Sequence, residues 1–166
     1  MAALDFSGGA GMSSPGFTNT ADVSVAMVVV VKNTLDNYGS FFHHGDRNND
    51  LSLERNGSNA ELVFQTNSDI ANCKLSYTLN TPTILFGRMT AGTSRYFSMT
   101  TSSGTTSTSC TNTLSLTSGS KVFFLGKSSN LESSNSYIGE VAYYSTALSD
   151  ADRDSIIAYL KSKWGI

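Results

Sequence analysis

Short runs of β-branched and aromatic residues, separated by glycine, asparagine and serine, recur along most of this sequence. The strands predicted from these runs cover residues 2–6, 23–32, 38–44, 51–55, 61–66, 73–77, 83–90, 95–101, 121–125 and 137–144. Many short strands at regular spacing indicate an all-β antiparallel sandwich or barrel. No shift in composition divides the chain, so we predict a single domain over residues 1–166.

The C-terminal segment carries the one helix that the sequence predicts. Ser149 is a suitable N-cap, and Gly165 is placed to end the helix. Between them the apolar residues recur at helical spacing and form one stripe: Ile156, Ile157, Leu160 and Trp164. Trp164 is therefore expected to anchor the helix in the core and not to serve as a sugar-stacking platform.

This tail resembles the end of laminin-G/pentraxin-like domains of the concanavalin A-like lectin/glucanase superfamily. The matching residues are Gly139, Glu140, Val141, Tyr143, Ala147, Leu148, Ser149 and Arg153. The opening residues 3–8 also resemble the first strand of these domains. The resemblance implies a two-sheet antiparallel jelly-roll sandwich in which the N-terminal strand lies beside the strand at 137–144. It implies no particular activity, because one such fold carries many functions.

The charge composition excludes several classes of partner. The formal net charge is −2, and only 14% of the residues are charged, with no basic cluster. Nucleic-acid binding and polybasic membrane binding are therefore not expected. The longest apolar run, at residues 25–31, is too short to span a bilayer, so no membrane insertion is expected. A hydroxyl-rich, weakly charged surface suits an extracellular or surface-exposed protein, either on a cell or on a virion.

The two cysteines, Cys73 and Cys110, lie in polar surroundings rich in serine, threonine and asparagine. An even number of cysteines in such a chain predicts a disulfide, which would stabilise the fold by roughly 3–4 kcal/mol. The alternative is a pair of unrelated small core residues. Metal binding by this pair is not expected, since the sequence has no C-x-x-C motif and no histidine close to either cysteine.

The sequence lacks the catalytic residues that the resemblance would require of an enzyme. The glucanases of the superfamily carry Glu-x-Asp-x-Glu on one strand, where a period of two brings all three carboxylates to one face. Here Glu140 stands alone on its strand. Asp150, Asp152 and Asp154 have the spacing, but they open the helix and are explained by its dipole. We therefore predict that the protein is not an enzyme.

The most function-like stretch is the loop after His44. Asp46, Asn48 and Asp50 follow the D-x-N-x-D alternation of many calcium loops, and they are the predicted ligands if calcium binds. The loop lacks the glycine and the glutamate of an EF-hand, and a plain polar turn or direct sugar contact remain as alternatives. The adjacent His43 and His44 point to opposite faces of their strand, so we expect one to be packed and one exposed.

Any carbohydrate contact is predicted to use this loop together with the polar loop at 128–137, because both are rich in groups that bond to hydroxyls. The predicted carbohydrate-binding residues are His44, Asp46, Arg47, Asn48, Asn135 and Tyr137. Tyr38, Tyr96 and Tyr137 lie at strand ends and are the candidates for an exposed aromatic platform. The low-complexity segment at 100–109 is either a solvated loop, which we favour, or a polar sheet edge.

Two functions follow as expectations. The first is a non-catalytic, lectin-like module that binds a glycan or surface polysaccharide, with calcium as the one cofactor that the sequence suggests. The alternative is a structural or adhesion subunit, for example on a virion surface, that contacts other protein subunits through an apolar patch or a free sheet edge.

Overall fold

A computed structural model of the chain describes residues 2–6, 11–18, 22–32, 38–45, 51–55, 61–66, 73–111, 120–127 and 133–166. Twelve strands and one helix follow in chain order: β1 (Leu4–Asp5), β2 (Met12–Thr18), β3 (Val23–Val31), β4 (Ser40–His44), β5 (Leu51–Arg55), β6 (Glu61–Thr66), β7 (Lys74–Ser76), β8 (Pro82–Thr90), β9 (Ser94–Thr101), β10 (Gly104–Thr111), β11 (Ser120–Leu125), β12 (Ser136–Tyr144) and α1 (Asp150–Trp164). The predicted all-β class with one C-terminal helix is confirmed.

The strands form two six-stranded antiparallel sheets. The first sheet has the order β1-β12-β3-β8-β9-β10, and the second has the order β2-β11-β4-β5-β6-β7. In the first sheet β1 pairs with β12, and Leu4 lies opposite Ile138. The expected proximity of the N-terminal strand to the C-terminal strand is therefore confirmed.

The central strand β3 is buried on both faces, which explains its unbroken apolar sequence. On its inner face Val25, Met27 and Val29 join the core between the two sheets. On its outer face Ala26 and Val28 join a second apolar cluster beneath α1. The first sheet therefore has one side against the second sheet and part of its other side against the helix.

The helix is capped and packed as the sequence predicts. The Ser149 side chain accepts a hydrogen bond from the Asp152 amide at 3.1 Å, and Gly165 ends the helix in the left-handed conformation with φ 70°. Leu160 is buried, and Ile156, Ile157 and Trp164 pack against the same cluster. Within the described part of the chain, no helix has the length and apolar character needed to cross a membrane.

Two strands were not predicted, β2 and β10. For segment 100–109 the solvated loop is wrong and the alternative, a polar sheet edge, is confirmed, because the segment contributes to β9 and to β10 at the edge of the first sheet. Strand β10 pairs with β9 in continuous register, from Gly104 opposite Thr101 to Thr111 opposite Ser94. Threonine is well suited to a pleated, half-exposed strand, so its abundance there favours pairing.

The predicted disulfide between Cys73 and Cys110 is confirmed, with a Cα–Cα distance of 5.7 Å that suits such a bond. Cys73 directly precedes β7 at the edge of the second sheet, and Cys110 lies in β10 at the edge of the first. The bond therefore joins the two sheets at one lateral edge of the sandwich.

The two ends of the described chain meet at one corner of the domain. Ala3 and Ile166 line the same small cavity of about 120 Å³, together with Pro82, Tyr137 and Trp164.

Candidate functional site

The structure buries both histidines of β4. His43 and His44 are each 0% exposed. The His44 ring packs 5.5 Å from the ring of Tyr143, and the His43 ring lies 5.9 Å from that of Phe124. The prediction that one histidine is exposed is wrong, because both faces of β4 are covered. His44, a predicted carbohydrate contact, is therefore not available to a ligand at the surface.

Asn135 and Tyr137 lie at the opposite end of β12 from His44. Tyr137 is 37% exposed, with the Lys32 ammonium 4.3 Å from its ring centroid, and the Asn135 carbonyl accepts from the Lys32 amide at 3.2 Å. Tyr137 and Tyr143, which contacts His44, are separated by about 20 Å along the strand. The structure thus does not bring His44 together with Asn135 and Tyr137.

The remaining predicted site residues, Asp46, Arg47, Asn48 and Asp50, lie outside the described residues. Among those that are described, no group of three His, Cys, Asp or Glu side chains converges to hold a metal ion. Calcium binding at the 46–50 loop stays a prediction.

A groove between β12 and α1 brings together a different set of residues. Its volume is about 240 Å³. Strands β3 and β12 contribute the first part of its lining, and α1 contributes the rest: Ala26, Glu140, Ala142, Tyr144, Ser155, Ile156, Tyr159 and Leu160. We call it the Tyr159 groove. Its floor is mainly apolar, and its one carboxylate among the described lining residues belongs to Glu140.

A β-bulge at Gly139 directs Glu140 into the Tyr159 groove. The pairing of β12 with β3 shifts between Ile138 and Glu140, and Ile138 lies buried in the core between the sheets. Strict alternation would place Glu140 on the same side as Ile138. The extra residue of the bulge reverses this, as bulges do when they re-aim a side chain. Ala142 and Tyr144 then follow on the same outer face as Glu140.

The Glu140 carboxylate is held by three side chains of α1. Its Oε2 accepts from Trp164 Nε1 at 3.0 Å and lies 2.9 Å from Lys163 Nζ. Its Oε1 accepts a long hydrogen bond of 3.5 Å from the Tyr159 hydroxyl. The bonds from Lys163, and secondarily from Trp164, lower the pKa of Glu140. The carboxylate is therefore ionised at neutral pH, and Oε1 retains capacity to accept from a ligand.

Tyr159 presents an aromatic ring at the rim of the Tyr159 groove. Its side chain is 53% exposed, and its hydroxyl accepts from Lys163 Nζ at 2.8 Å. Tyr159 and Lys163 are one turn apart on α1, which lets the lysine fix the tyrosine. The hydrogen bonds to Tyr159 and Glu140 raise the pKa of Lys163. The ring is thus both accessible and oriented.

The sequence analysis did not identify Tyr159 or Tyr144 as site residues. The available signal was the pair Tyr159 and Lys163 at i and i+4 on the helix, beside the apolar stripe. Of the tyrosines predicted to form a platform, Tyr137 is exposed, whereas Tyr38 and Tyr96 are half-buried.

Comparison with known proteins relates the fold of this chain to solved structures only. No protein-family model matches the sequence, and the search of curated proteins found no match. The chain is similar to the binding domain of botulinum neurotoxin serotype G, with a TM-score of 0.70 and 11% identity over 96% of this chain and 42% of that one. It is also similar to the binding domain of botulinum neurotoxin DC, solved in complex with SialylT, with a TM-score of 0.62 and 12% identity over 84% of this chain and 36% of that one.

A third similar structure is the Trypanosoma rangeli sialidase in complex with the inhibitor DANA. The TM-score is 0.65 and the identity 14%, over 90% of this chain and 26% of that one. These proteins share its fold. The chain spans less than half the length of each of them.

Proposed function

We propose that this domain binds a carbohydrate, without chemically changing it, in the Tyr159 groove. The observation that carries the proposal is the bulge at Gly139, which turns a carboxylate out beside an exposed tyrosine. A regular strand without the bulge would instead have placed Glu140 on the same face as Ile138, toward the core. A carboxylate held next to an aromatic ring on an apolar floor supports a binding role for this surface.

The groove matches the two kinds of surface that a pyranose presents. A sugar ring has an apolar C–H face, which suits stacking on Tyr159 and contact with Ala142 and Ile156. Its hydroxyls suit a fixed anionic acceptor such as Glu140. The volume of about 240 Å³ lies just below the range of roughly 300–1,000 Å³ typical of drug-sized ligands. A single sugar residue, or the end of a chain, is therefore the expected occupant.

The charge balance of the groove favours a neutral sugar. The negative charge of Glu140 is already compensated by Lys163 at 2.9 Å. An acidic sugar would bring a second negative charge next to the carboxylate and would be disfavoured.

The same geometry argues against glycoside hydrolysis. Hydrolysis by the usual mechanisms needs two carboxyl groups, about 5–5.5 Å apart for retention or about 6.5–9.5 Å for inversion. The described lining of the groove offers Glu140 alone. The lowered pKa of Glu140 also makes it a poor general acid near neutral pH.

The proposed setting is an extracellular or surface-exposed protein of the concanavalin A-like type, with a glycan or surface polysaccharide as partner. The disulfide supports an oxidising environment. The likeness to toxin binding domains and to a sialidase is compatible with this proposal at the level of the fold.

A glycan array, followed by calorimetry with the best neutral saccharide, tests the proposal. We expect Tyr159→Ala to weaken binding about 10-fold or more, equivalent to about 1.4 kcal/mol, and Tyr159→Phe to weaken it less because the ring remains. Tyr137→Ala is the matched control, since it removes an exposed tyrosine from the other predicted site.

Two results would contradict the proposal. One is a Tyr159→Ala variant that folds and binds as well as the wild type. The other is a wild type that binds no glycan, with or without calcium. Loss of binding in Tyr137→Ala but not in Tyr159→Ala would favour the site predicted from the sequence, which includes the loop at 128–137.

A further inference from the structure

Strand β10 is the outermost strand of the first sheet, and among the described residues it pairs along one side only, with β9. Its side chains are exposed or half-exposed along its whole length. The strand, Gly104–Thr111, contains no charged residue and no proline. Its register with β9 is continuous, so no bulge bends it away.

The other three edges of the two sheets, as far as their strands are described, each carry a feature that limits pairing with another strand. Strand β1 is two residues long and contains Asp5, and β7 is three residues long and begins with Lys74. Strand β2 contains Pro15, and its pairing is shifted between Lys121 and Phe123. Short length, charge, proline and bulges are the usual protections of an edge strand. Strand β10 has none of them.

We propose that β10 pairs with β10 of a second copy of this chain. Antiparallel pairing about a two-fold axis near Ser107 would join two first sheets into one continuous sheet of twelve strands. A two-fold operation uses the same surface on both copies, so it closes at a dimer. The absence of charge on β10 removes the repulsion that a strand would otherwise meet from its own copy.

The side chains of β10 are also self-complementary. With the axis at Ser107, Thr105 of each copy lies opposite Ser109 of the other, on the outer face of the joined sheet. Hydroxyl pairs of this kind form hydrogen bonds across strands. The molecule already contains one such pair on the same face, between the hydroxyls of Thr100 and Thr105 at 2.8 Å.

The dimer would leave the Tyr159 groove open. Three strands separate β10 from β12 in the sheet, so pairing at β10 does not cover Glu140 or Tyr159. Each dimer would then carry two grooves, which allows bivalent contact with a surface that displays many ligands. The pairing itself does not depend on what the groove binds.

Sedimentation analysis over a concentration series tests the proposal. One strand pair buries little surface, so we expect a weak monomer–dimer equilibrium that becomes visible at about 0.1–1 mM. The mass should rise from 17.7 kDa to twice that value and stop there. Hydrogen exchange should slow at residues 104–111 as the dimer forms, while the rest of the chain keeps its rates.

Ser107→Lys places a charge on the edge and should raise the dissociation constant at least 10-fold, with unchanged melting. Ser120→Lys is the control, since it adds the same charge at an exposed serine of β11, outside this edge. If Ser107→Lys lowers the melting temperature, Ser109→Lys replaces it as the variant that places a charge on the β10 edge. A wild type that stays monomeric to about 1 mM, a mass that grows beyond the dimer, or dimerisation unaffected by both edge lysines would overturn the proposal.

Discussion

The indole Nε1 of Trp164 lies 3.0 Å from the Glu140 carboxylate and donates a hydrogen bond to it. This bond joins the last turn of α1 to the bulge of β12. It also places the indole ring directly over Gly139, where an added Cβ would lie 2.4 Å from the nearest ring carbon. Trp164 therefore holds the helix to the sheet and fixes the orientation of Glu140 in the Tyr159 groove.

Trp164 should contribute to the free energy of unfolding in two separable ways, through ring packing and through its hydrogen bond. Trp164→Ala removes both the ring packing and the hydrogen bond, and we expect a loss of about 3 kcal/mol. Trp164→Phe keeps most of the packing but loses the donor to a charged acceptor, and we expect about 1–2 kcal/mol. Urea denaturation measures both values. A Trp164→Ala variant that unfolds like the wild type but no longer binds ligand would make Trp164 a ligand contact instead.

Gly139→Ala should cost about 1–3 kcal/mol because the new methyl group meets the indole ring. The ring cannot move aside without losing its bond to Glu140. Trp164 is the one tryptophan of the chain, so its fluorescence reports the displacement directly, beside a thermal melt. Unchanged fluorescence and stability would mean that the ring does not lie where the structure places it.

Acid should weaken the contact between α1 and β12. The bond from Lys163 lowers the pKa of Glu140, so its contribution to stability is present above the ordinary carboxyl pKa and is lost as the pH falls through the lowered value. The pKa of Lys163 is raised, so its contribution is present below its ordinary pKa and is lost as the pH rises through the raised one. The free energy of unfolding, measured against pH, should fall at both acid and alkaline pH. Glu140→Gln should reduce the fall at acid pH.

Removing the disulfide should destabilise the domain by roughly 3–4 kcal/mol, since the bond restricts a long loop of the unfolded chain. The variant is Cys73→Ser with Cys110→Ser, and reduced wild-type protein is its control. Denaturation with and without reductant measures the difference. Two thiols that react in the unfolded, unreduced protein would show that the bond does not form.

The predicted calcium ligands at this loop include the carboxylates of Asp46 and Asp50, because hard cations select carboxylate oxygens. Calorimetry of the wild type and of Asp46→Ala with Asp50→Ala tests this prediction. Equal calcium binding by the two proteins would place the ion elsewhere, and the absence of heat from both would favour a plain turn at residues 46–50.

The sequence predicted the elements whose pattern is local. The helix had its cap at Ser149 and its stripe at Ile156 and Leu160, and β3 had an unbroken apolar run. Strand β10 was missed because serine and threonine occupy both of its faces, so it has no apolar period for alternation to reveal. Its pairing with β9 depends on backbone hydrogen bonds, which the sequence pattern does not show.

The Tyr159 groove was not predicted for a different reason. Alternation along β12 cannot show that Gly139 is a bulge, and without the bulge Glu140 appears to share a face with Ile138.

Long-range packing also overrode the pattern in β4 and β5. Ser52 and Glu54 alternate with leucines, a pattern typical of a strand with one exposed face. Both are nevertheless buried, and Glu54 accepts a hydrogen bond from Ser40 at 3.2 Å.

Because Ala3 and Ile166 line one cavity, we expect a circular permutant that joins these two points to keep the fold. A short glycine-rich linker would join the two ends, and new ends could be opened in the exposed turn between β9 and β10. For the same reason the domain can be inserted as a unit into a surface loop of a host protein. In such a fusion both connections to the host protein lie at one corner of the domain. The Tyr159 groove and the β10 edge would not be part of these connections.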